Sequence, residues 1–349
     1  MEAIIHPGMH KTGTSSIQAT LVKLKPKGWT FRDDADGNMS YLVPLLFEDN
    51  PENYHSFKAR GLSADKISQM RDFQFARLHE RLAVAREQEA NAIFTAEDVS
   101  SASESAVEAI RDLYLSYGFN IRVVAYVRKP VSFMQSIFQQ YLKSGSMSLE
   151  SMGPYWPNYR RRFEKLDKVF GRENVTLKVF DPRMLVSGDV CCDFFSEINI
   201  PISDKEAVRV NESLSLGATA LLFVQRTFGK GFVQGFDGVH QKNFSFIDAL
   251  SQIKGEKLLF SRSLVEPIIS QQRSDLQWME ERIGQELLDI PEFDNEICVS
   301  GNDALVGAAS RFVDELNSIL ALEIRKYENP VDLALVTKLE LLRELFYQK

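Results

Sequence analysis

Short apolar segments alternate with helical patterns over the first two hundred residues of this 349-residue chain. The segments with the composition of β-strands are residues 2–6, 28–31, 92–95, 121–127 and 175–180. Helical periodicity lies between them, most clearly at residues 63–90, 101–117 and 130–143. Because strands that alternate with helices form βαβ units, we predict an α/β fold with a central parallel sheet flanked by helices.

The remaining chain, from about residue 211, has mostly helical periodicity, as in residues 305–324 and 330–347. Glycines interleaved with aromatic residues predict a loop at residues 228–246, and a composition rich in Asp, Asn, Gly and Pro predicts another at residues 33–53. We expect the helical C-terminal region to pack on the α/β core and to serve acceptor-side or oligomer contacts.

A glycine-rich turn joins the first strand pattern to the first helix pattern. It reads PGMHKTGTSS over residues 7–16, and the helix pattern is predicted to start at Ile17. In such a turn, backbone N–H groups and the positive end of the helix dipole converge on one point, where Lys11 adds a full charge. The turn therefore predicts a phosphate-binding site. The alternative is a turn that only caps the helix through Thr14, Ser15 or Ser16.

The two glycines of this turn have the spacing of an NTPase P-loop, but the lysine is in a different place. After Gly8 and Gly13 comes Thr14, where a Walker A loop has the Lys that reaches the β- and γ-phosphates. The only lysine of the turn, Lys11, precedes the second glycine. Four hydroxyl side chains surround it and suit a phosphate bound without a metal ion: Thr12, Thr14, Ser15 and Ser16.

A second candidate anion site follows the strongest strand pattern, at the edge where open α/β sheets bind ligands. Arg128 opens the sequence Arg-Lys-Pro, and Ser136 lies about two helical turns into the next helix pattern. If the chain folds back there, the guanidinium and the hydroxyl can face one anion, and arginine suits bidentate phosphate recognition. The alternative is an arginine in a loop and a serine on a helix surface.

Together, the two motifs resemble those of the sulfotransferases that use 3′-phosphoadenylyl sulfate (PAPS), a family with a P-loop-like fold. The stretch HKTGTSSIQ, residues 10–18, is most similar to the bacterial branch of that family. The resemblance covers about residues 1–215, which would form the PAPS-binding core, and leaves residues 216–349 as the helical C-terminal region. Many cytosolic members have a late Arg-Lys-Gly loop, whereas this chain has RVNESLS at residues 209–215. There Asn211 or Ser213 is a cofactor contact or merely a helix cap.

The resemblance implies binding of PAPS and of its product PAP, with no metal. It assigns the 5′ end of the nucleotide to the turn and the 3′-phosphate to Arg128 and Ser136. The cofactor-binding residues of the turn are then Gly8, His10, Lys11, Thr12, Gly13, Thr14, Ser15 and Ser16.

Sulfuryl transfer needs a base for the acceptor proton and a cation for the leaving phosphate. Lys11 is placed to be that cation. Glu97 follows a strand predicted to neighbour the first strand and resembles the catalytic Glu of glycan sulfotransferases, in the context Thr-Ala-Glu. The alternative for Glu97 or Asp98 is a cap of the next helix. His10 is the rival base, or it supports the turn from below.

Composition limits the partners and the compartment. A net charge of −7 argues against nonspecific nucleic-acid binding. No apolar run reaches the length of a membrane span, and the N-terminus lacks the pattern of a secretory signal. Cys191, Cys192 and Cys298 have no metal-ligand spacing and fit buried side chains in a reducing compartment. We therefore expect a cytoplasmic protein with no membrane span.

These observations predict an enzyme that moves the sulfuryl group of PAPS to a hydroxyl or amine of a small-molecule or glycan acceptor, most readily a carbohydrate or glycolipid. A homodimer is a candidate assembly. Aromatic and basic residues within 141–170 either bind that acceptor or pack on the core: Tyr141, Tyr155, Trp156, Tyr159 and Arg160 to Arg162. The alternatives are a P-loop kinase of small metabolites, with Mg²⁺ at Glu97 and Asp98, and a non-catalytic nucleotide-binding relative.

Overall fold

The computed structural model describes residues 1–32, 37–145, 147–210, 213–229, 238–291, 297–324 and 335–347. Within its helices, the side chains of residues 238–242, 322–324, 335–336 and 344–347 are outside this description. The chain forms two compact units whose segments interleave in sequence. The first unit is Met1–Lys129, Asn158–Glu212 and Ser274–Leu287, and the second is Pro130–Pro157, Ser213–Arg273 and Leu288–Lys349. The predicted domains, in contrast, are contiguous and divide at residue 215.

A five-stranded parallel sheet forms the centre of the first unit, as the alternation of strands and helices predicts. In the order in which they pair, the strands run β2-β3-β1-β4-β5. Their bounds are β1 (Glu2–His6), β2 (Trp29–Thr30), β3 (Asn91–Thr95), β4 (Asn120–Val127) and β5 (Val175–Val179). The prediction of a parallel α/β sheet is therefore confirmed, and each predicted strand lies within two residues of an observed one.

The central strand β1 pairs with β3 on one side and with β4 on the other. Ile4 lies opposite Ile93 in β3, and Ile5 lies opposite Val123 in β4. All four side chains are buried, as expected for neighbouring strands at the centre of a parallel sheet. Because the three strands are parallel, their carboxyl ends lie at the same edge of the sheet, which is the usual ligand-binding edge of an α/β fold.

Helices account for most of the remaining described residues in both units. In chain order they are α1 (Thr14–Leu24), α2 (Leu42–Leu46), α3 (His55–Ala59), α4 (Ala64–Glu87), α5 (Glu104–Ser116), α6 (Pro130–Ser144), α7 (Tyr159–Phe170), α8 (Val190–Glu197), α9 (Leu216–Phe228), α10 (Gly238–Ser251), α11 (Arg262–Gln271), α12 (Arg273–Ile283), α13 (Asn302–Ala309), α14 (Val313–Ile324) and α15 (Leu335–Tyr347).

The packing of α1 and α8 on the sheet fixes the position of the first turn. Ile17 and Leu21 of α1 are fully buried in one cluster with Ile4 of β1 and with Phe194 and Phe195 of α8. Burial of one such side chain stabilises the fold by about 1.5–3 kcal/mol. The start of α1 is therefore held firmly against the end of β1.

The second unit is mostly helical, as the sequence of residues 216–349 predicts, but it differs in three places. A short parallel pair joins β6 (Leu259–Phe260) to β7 (Cys298–Val299). The helix predicted over residues 305–324 is two helices, α13 and α14, joined by a 3₁₀ turn at Ser310–Phe312. The loop predicted over residues 228–246 is wrong from Gly238 onward, because α10 begins there, while residues 230–237 lie outside the described residues.

The loop predicted for residues 33–53 also contains helix. The apolar patch there forms α2, and a 3₁₀ turn follows at Pro51–Asn53, while residues 33–36 lie outside the described residues. Across the parts of the chain that are described, no helix is long and apolar enough to cross a membrane.

His6 is a titratable group inside the core of the first unit. Its Nδ1–H donates to the carbonyl of Val124 at 2.8 Å, and its ring lies edge-on to Phe194. Burial lowers the pKa of His6 to about 4, whereas an unfolded chain has a histidine pKa of about 6.5. The neutral ring therefore contributes stability that is complete above pH 6.5 and falls as the pH drops toward 4.

We expect His6→Gln to flatten the dependence of stability on pH between about 6.5 and 4. The wild-type chain should lose on the order of 3 kcal/mol of unfolding free energy in that window through His6 alone. Chemical denaturation at a series of pH values measures this, with His55→Gln as the exposed-histidine control. Equal slopes for wild type and His6→Gln would contradict the assignment.

Candidate functional site

The glycine-rich turn lies where the carboxyl end of β1 meets that of β4. The N–H of Met9 donates to the carbonyl of Tyr126 at 3.1 Å, and the N–H of Tyr126 donates to the carbonyl of Gly8 at 2.8 Å. Gly13 is the N-cap residue of α1. The strand and the turn are thus arranged as the sequence predicts, but α1 begins at Thr14, three residues before the predicted start at Ile17.

Gly8 and Gly13 are both required by the backbone of this turn. Their φ angles are +86° and +83°, in the left-handed region that favours glycine. A Cβ at Gly13 would lie 2.6 Å from Cγ1 of Val190, and a Cβ at Gly8 would lie 3.2 Å from the backbone nitrogen of His10. The turn is therefore closely packed as well as conformationally restricted.

Gly13→Ala should lower the unfolding free energy by more than the left-handed conformation alone explains. That conformation costs about 1–2 kcal/mol for a residue with a Cβ, and the clash with Val190 adds about 1–3 kcal/mol. Gly28→Ala is the matched control, because Gly28 has a φ of +76° but open space around its Cα. Chemical denaturation should show the larger loss for Gly13→Ala and partial rescue by Val190→Ala. Equal losses at the two glycines would contradict the packing argument.

Three of the four predicted phosphate-binding hydroxyls form hydrogen bonds inside the protein. Thr12 donates to the carbonyl of Met9 at 2.6 Å, and Thr14 lies 3.4 Å from Nε2 of His6, whose Nδ1 is the protonated nitrogen. Oγ of Ser16 instead accepts a hydrogen bond from the N–H of Val210 at 3.2 Å, and this bond does not use the hydroxyl proton of Ser16.

Each hydroxyl has only one proton to donate. A hydroxyl that already donates inside the protein is therefore a poorer ligand for an anion than one that does not. Thr12 and Thr14 use that proton to hold the turn. Ser16 keeps its proton but is almost completely buried. Ser15 is partly exposed, and its hydroxyl has no side-chain hydrogen bond to any described residue. In this conformation the candidate donors to an anion are therefore backbone N–H groups, Lys11 and Ser15.

Lys11 is half-buried and has an unusual backbone conformation. Its φ is +68°, which is uncommon for a residue other than glycine and costs about 1 kcal/mol or more. Its carbonyl oxygen accepts a hydrogen bond from Nη1 of Arg128 at 2.6 Å. Strained residues are enriched at functional sites, where the surrounding contacts hold them in place.

Arg128 connects the two predicted anion motifs directly. In addition to its bond to the carbonyl of Lys11, its guanidinium lies 5.6 Å from the centre of the Phe180 ring. Its own carbonyl accepts from the hydroxyl of Tyr159 at 2.6 Å. Arg128 and the glycine-rich turn are far apart in sequence and adjacent in the first unit. Ser136 is a buried residue of α6 in the second unit, and its pairing with Arg128 stays a prediction.

Glu97 and Asp98 begin a 3₁₀ turn, Glu97–Ser100, at the end of β3. The N–H of Glu97 donates to Oγ of Ser40 at 2.9 Å, and Oγ of Ser100 donates to the carbonyl of Glu97 at 2.9 Å. The N-cap residue of the next helix, α5, is Ser103. The alternative in which Glu97 or Asp98 caps that helix is therefore wrong.

Two basic residues of α7 support this 3₁₀ turn from inside the unit. Nζ of Lys165 donates to the carbonyls of Ser100 and Ala102 at 2.9 and 2.5 Å, and burial lowers its pKa to about 8. Nη1 of Arg162 contacts Oγ of Ser100 and of Ser101 at 3.1 and 2.8 Å. Arg162 therefore helps to hold the 3₁₀ turn in place. Its position among three consecutive arginines, Arg160 to Arg162, does not predict this role.

The structure brings the two candidate bases together. Nε2 of His10 lies 3.7 Å from Oε2 of Glu97 and 3.5 Å from Oδ1 of Asp98. Asp98 also accepts a hydrogen bond from the hydroxyl of Tyr54 at 3.0 Å. A histidine, two carboxylates and a tyrosine thus form one polar cluster beside the glycine-rich turn.

Most of the aromatic residues predicted as acceptor ligands pack inside their units. Tyr155, Trp156 and Tyr159 are buried, and only Tyr141 is well exposed, at 39%. The burial of these three side chains favours core packing over acceptor binding. Two other histidines contact tyrosines: the ring of His55 lies against that of Tyr54, and Nδ1 of His79 forms a hydrogen bond with the hydroxyl of Tyr117. The side chain of His240 lies outside the described residues.

Residues 203–210 run along α1 and reach the glycine-rich turn. The N–H of Val208 donates to Oγ1 of Thr20 at 2.9 Å, and that of Val210 donates to Ser16. Asn211 and Glu212 of the predicted RVNESLS contact lie outside the described residues. The helix that follows is α9, and its N-cap is Ser215, which accepts from the N–H of Ala218, so the predicted cap at Asn211 or Ser213 is wrong.

Comparisons of the chain with protein-family models, with curated proteins and with solved structures found no match.

The sequence does not predict that Asp98 and Tyr54 belong to this polar cluster. It indicates Asp98, the neighbour of Glu97, only as a helix cap or a metal ligand. Tyr54 precedes the short helix α3, in a region whose contacts with the end of β3 are purely tertiary. Hydrogen bonds between segments that distant have no local pattern from which to predict them.

Proposed function

We propose that this protein is a PAPS-dependent sulfotransferase with the P-loop-like fold of that family. The observation that supports this most is the hydrogen bond from Arg128 to the carbonyl of Lys11. It joins the loop expected to hold the 5′-phosphosulfate to the arginine expected to hold the 3′-phosphate. A nucleotide with phosphates at both ends of its ribose is the ligand that such a pair of cationic motifs suits.

The proposed reaction is a single in-line transfer. The oxygen of the acceptor forms a bond to sulfur while the bond between sulfur and the bridging oxygen of the 5′-phosphate breaks. The electron pair of the broken bond stays on that phosphate oxygen, so PAP leaves, and the acceptor proton passes to Glu97. Because the transition state of such transfers is loose, catalysis rests on positioning and on charge stabilisation.

Each part of the site has a role in that step. Lys11 stabilises the negative charge that develops on the bridging phosphate oxygen. Backbone N–H groups at the start of α1, with Ser15, hold the sulfonate and the 5′-phosphate. The 3₁₀ turn, fixed by Ser40 and Ser100, holds the carboxylate of Glu97 at the same edge of the sheet.

Arg128→Ala should weaken the binding of PAP by about 10- to 100-fold. Loss of a hydrogen bond to a charged group is worth about 1.5–3 kcal/mol, and this variant also removes a support of the turn. Binding of adenosine 5′-phosphosulfate, which lacks the 3′-phosphate, should fall by much less. Calorimetric titration of both nucleotides separates these effects, with Arg183→Ala, an exposed arginine of the same unit, as the control. An equal loss for the two nucleotides would argue against a 3′-phosphate contact at Arg128.

The transfer itself is tested by incubating the protein with PAPS and a panel of carbohydrate and glycolipid acceptors in EDTA. We expect release of PAP that depends on one acceptor class and forms a sulfated product visible by mass spectrometry. Phosphorylation of small acceptors by ATP with Mg²⁺ would instead support the P-loop kinase, which the glycine spacing and the pair Glu97 and Asp98 also suit. Tight PAP binding without transfer to any acceptor would support a non-catalytic relative.

A further inference from the structure

The two ring nitrogens of His10 have opposite surroundings. Nδ1 is buried and has no hydrogen-bond partner among the described residues. Nε2 faces two carboxylates, at 3.7 Å from Oε2 of Glu97 and 3.5 Å from Oδ1 of Asp98. Both distances are longer than a hydrogen bond and within the range of ion pairs. Catalytic contacts of this length commonly shorten when a substrate binds.

A general base must present an unprotonated atom to the hydroxyl that it deprotonates. Nδ1 of His10 is buried, and Nε2 is next to groups that, when ionised, can only accept hydrogen bonds. That environment favours a proton on Nε2. We infer that His10 is a positioning residue and not the base, with its Nε2–H directed at Glu97 and Asp98. This inference rests on the proposed function, in which Glu97 receives the acceptor proton.

Tyr54 keeps Asp98 in its role as an acceptor toward His10. The hydroxyl of Tyr54 donates to Oδ2 of Asp98 at 3.0 Å, so Oδ1 is the oxygen that faces the imidazole. Burial and the charge of Asp98 raise the pKa of Tyr54 well above its ordinary value, so this hydroxyl keeps its proton. The ring of Tyr54 is itself fixed against Phe57, with ring centres 5.0 Å apart.

The resulting order of contacts is Tyr54 to Asp98 to His10 to Glu97. Each member donates to or faces the next, and the last is the proposed base. Orientation of a catalytic group by a neighbouring hydrogen-bonded pair is a general device of acid–base catalysis. Here the carboxylate is the reacting group and the imidazole is its support.

Replacement of Asp98 by asparagine should change which ring nitrogen of His10 carries the proton. An asparagine has one oxygen, and the hydroxyl of Tyr54 continues to bond it. The amide NH₂ then faces Nε2 of His10. Because this NH₂ can only donate hydrogen bonds, it disfavours a proton on Nε2. Asp98→Asn should therefore move His10 toward the tautomer with its proton on Nδ1, with little change in shape.

Nitrogen NMR of histidine-labelled protein reads this tautomer directly, and the chain has only five histidines. The spectrum is recorded at about pH 8.5, where a free imidazole is neutral, and His10→Gln assigns the signal. We expect the Nε2–H tautomer in the wild-type chain and a shift toward Nδ1–H in Asp98→Asn. Tyr117→Phe is the matched control, because it removes the tyrosine partner of His79 and should leave the His10 signal unchanged.

Kinetics provides the second readout. Asp98→Asn should lower kcat for sulfuryl transfer by about 10-fold while the affinity for PAP stays the same, since the cluster acts on the base and not on the nucleotide. Tyr54→Phe should have a smaller effect in the same direction. A wild-type His10 with its proton on Nδ1, or a tautomer that Asp98→Asn leaves unchanged, would overturn the inference.

The two proposals fail separately in this design. The NMR measurement needs neither PAPS nor an acceptor, so it reports on His10 whatever reaction the protein catalyses. If PAP does not bind and the His10 tautomer is as expected, the sulfotransferase assignment is wrong and the contacts of His10 stand. If PAP binds and the tautomer is Nδ1–H, the role of His10 is wrong and the assignment stands.

Discussion

Glu97→Gln should abolish sulfuryl transfer, with kcat reduced by about 10²–10⁴-fold, and should leave PAP binding nearly intact. The range is that of a lost general base. The substitution keeps the shape of the side chain and both backbone hydrogen bonds of the residue, because Ser40 and Ser100 contact only its N–H and its carbonyl. The 3₁₀ turn should therefore stay in place, and the loss should appear in the chemical step.

Steady-state transfer rates and calorimetric titration with PAP separate the two effects. Glu108→Gln, at an exposed position of the neighbouring helix α5, is the control for removal of one negative charge. A Glu97→Gln variant that transfers at the wild-type rate would show that Glu97 is not the base. If His10→Gln then caused the larger loss, the base would be His10.

Lys11→Met should reduce kcat for transfer by about 10²–10³-fold and weaken PAP binding to a smaller extent. Removal of one group that stabilises the charge of a transition state typically has an effect of that size. The charge on the bridging phosphate oxygen grows as the bond to sulfur breaks, so a cation there acts more strongly on the transition state than on the bound nucleotide.

The backbone at this position limits what else the variant can change. The backbone carbonyl at position 11, which accepts a hydrogen bond from Arg128, remains in Lys11→Met. Lysine and methionine also have a similar energetic cost at a φ of +68°. Lys27→Met, an exposed lysine after α1, controls for the loss of one positive charge. If binding of PAP and kcat fell by the same factor as in that control, Lys11 would not be the group that stabilises the leaving phosphate.

The sheet and the position of the turn are predictable from the sequence because they depend on local patterns. The middle of strand β1, Ala3 to Ile5, is apolar, and Gly8 and Gly13 indicate the turn that follows it, whereas α1 starts at Thr14, three residues before the predicted start at Ile17. The position of Glu97 follows as well, since it needs only the strand pattern at residues 92–95 and the expectation that β3 neighbours β1.

The contacts inside the site are not predictable in that way. Thr12 and Thr14 suit a phosphate by composition, but their protons go to Met9 and His6, a choice that depends on how the turn packs against β4. The bond between Arg128 and Lys11 joins segments that are distant in sequence. Residue types alone suggest which chemistry is available, whereas the direction of each hydrogen bond is set by tertiary packing.

Thermal unfolding with PAP, ATP and GTP, each in EDTA and in excess Mg²⁺, shows directly whether the protein binds a nucleotide with a 3′-phosphate and without a metal ion. A ligand at one hundred times its Kd stabilises the folded chain by about 2.7 kcal/mol. We predict a rise in Tm with PAP that is the same in EDTA and in Mg²⁺, is larger than that with ATP or GTP, and is reduced in Arg128→Ala. Stabilisation by ATP or GTP that requires Mg²⁺, with none by PAP, would show that the protein binds a nucleoside triphosphate and is not a PAPS-dependent sulfotransferase.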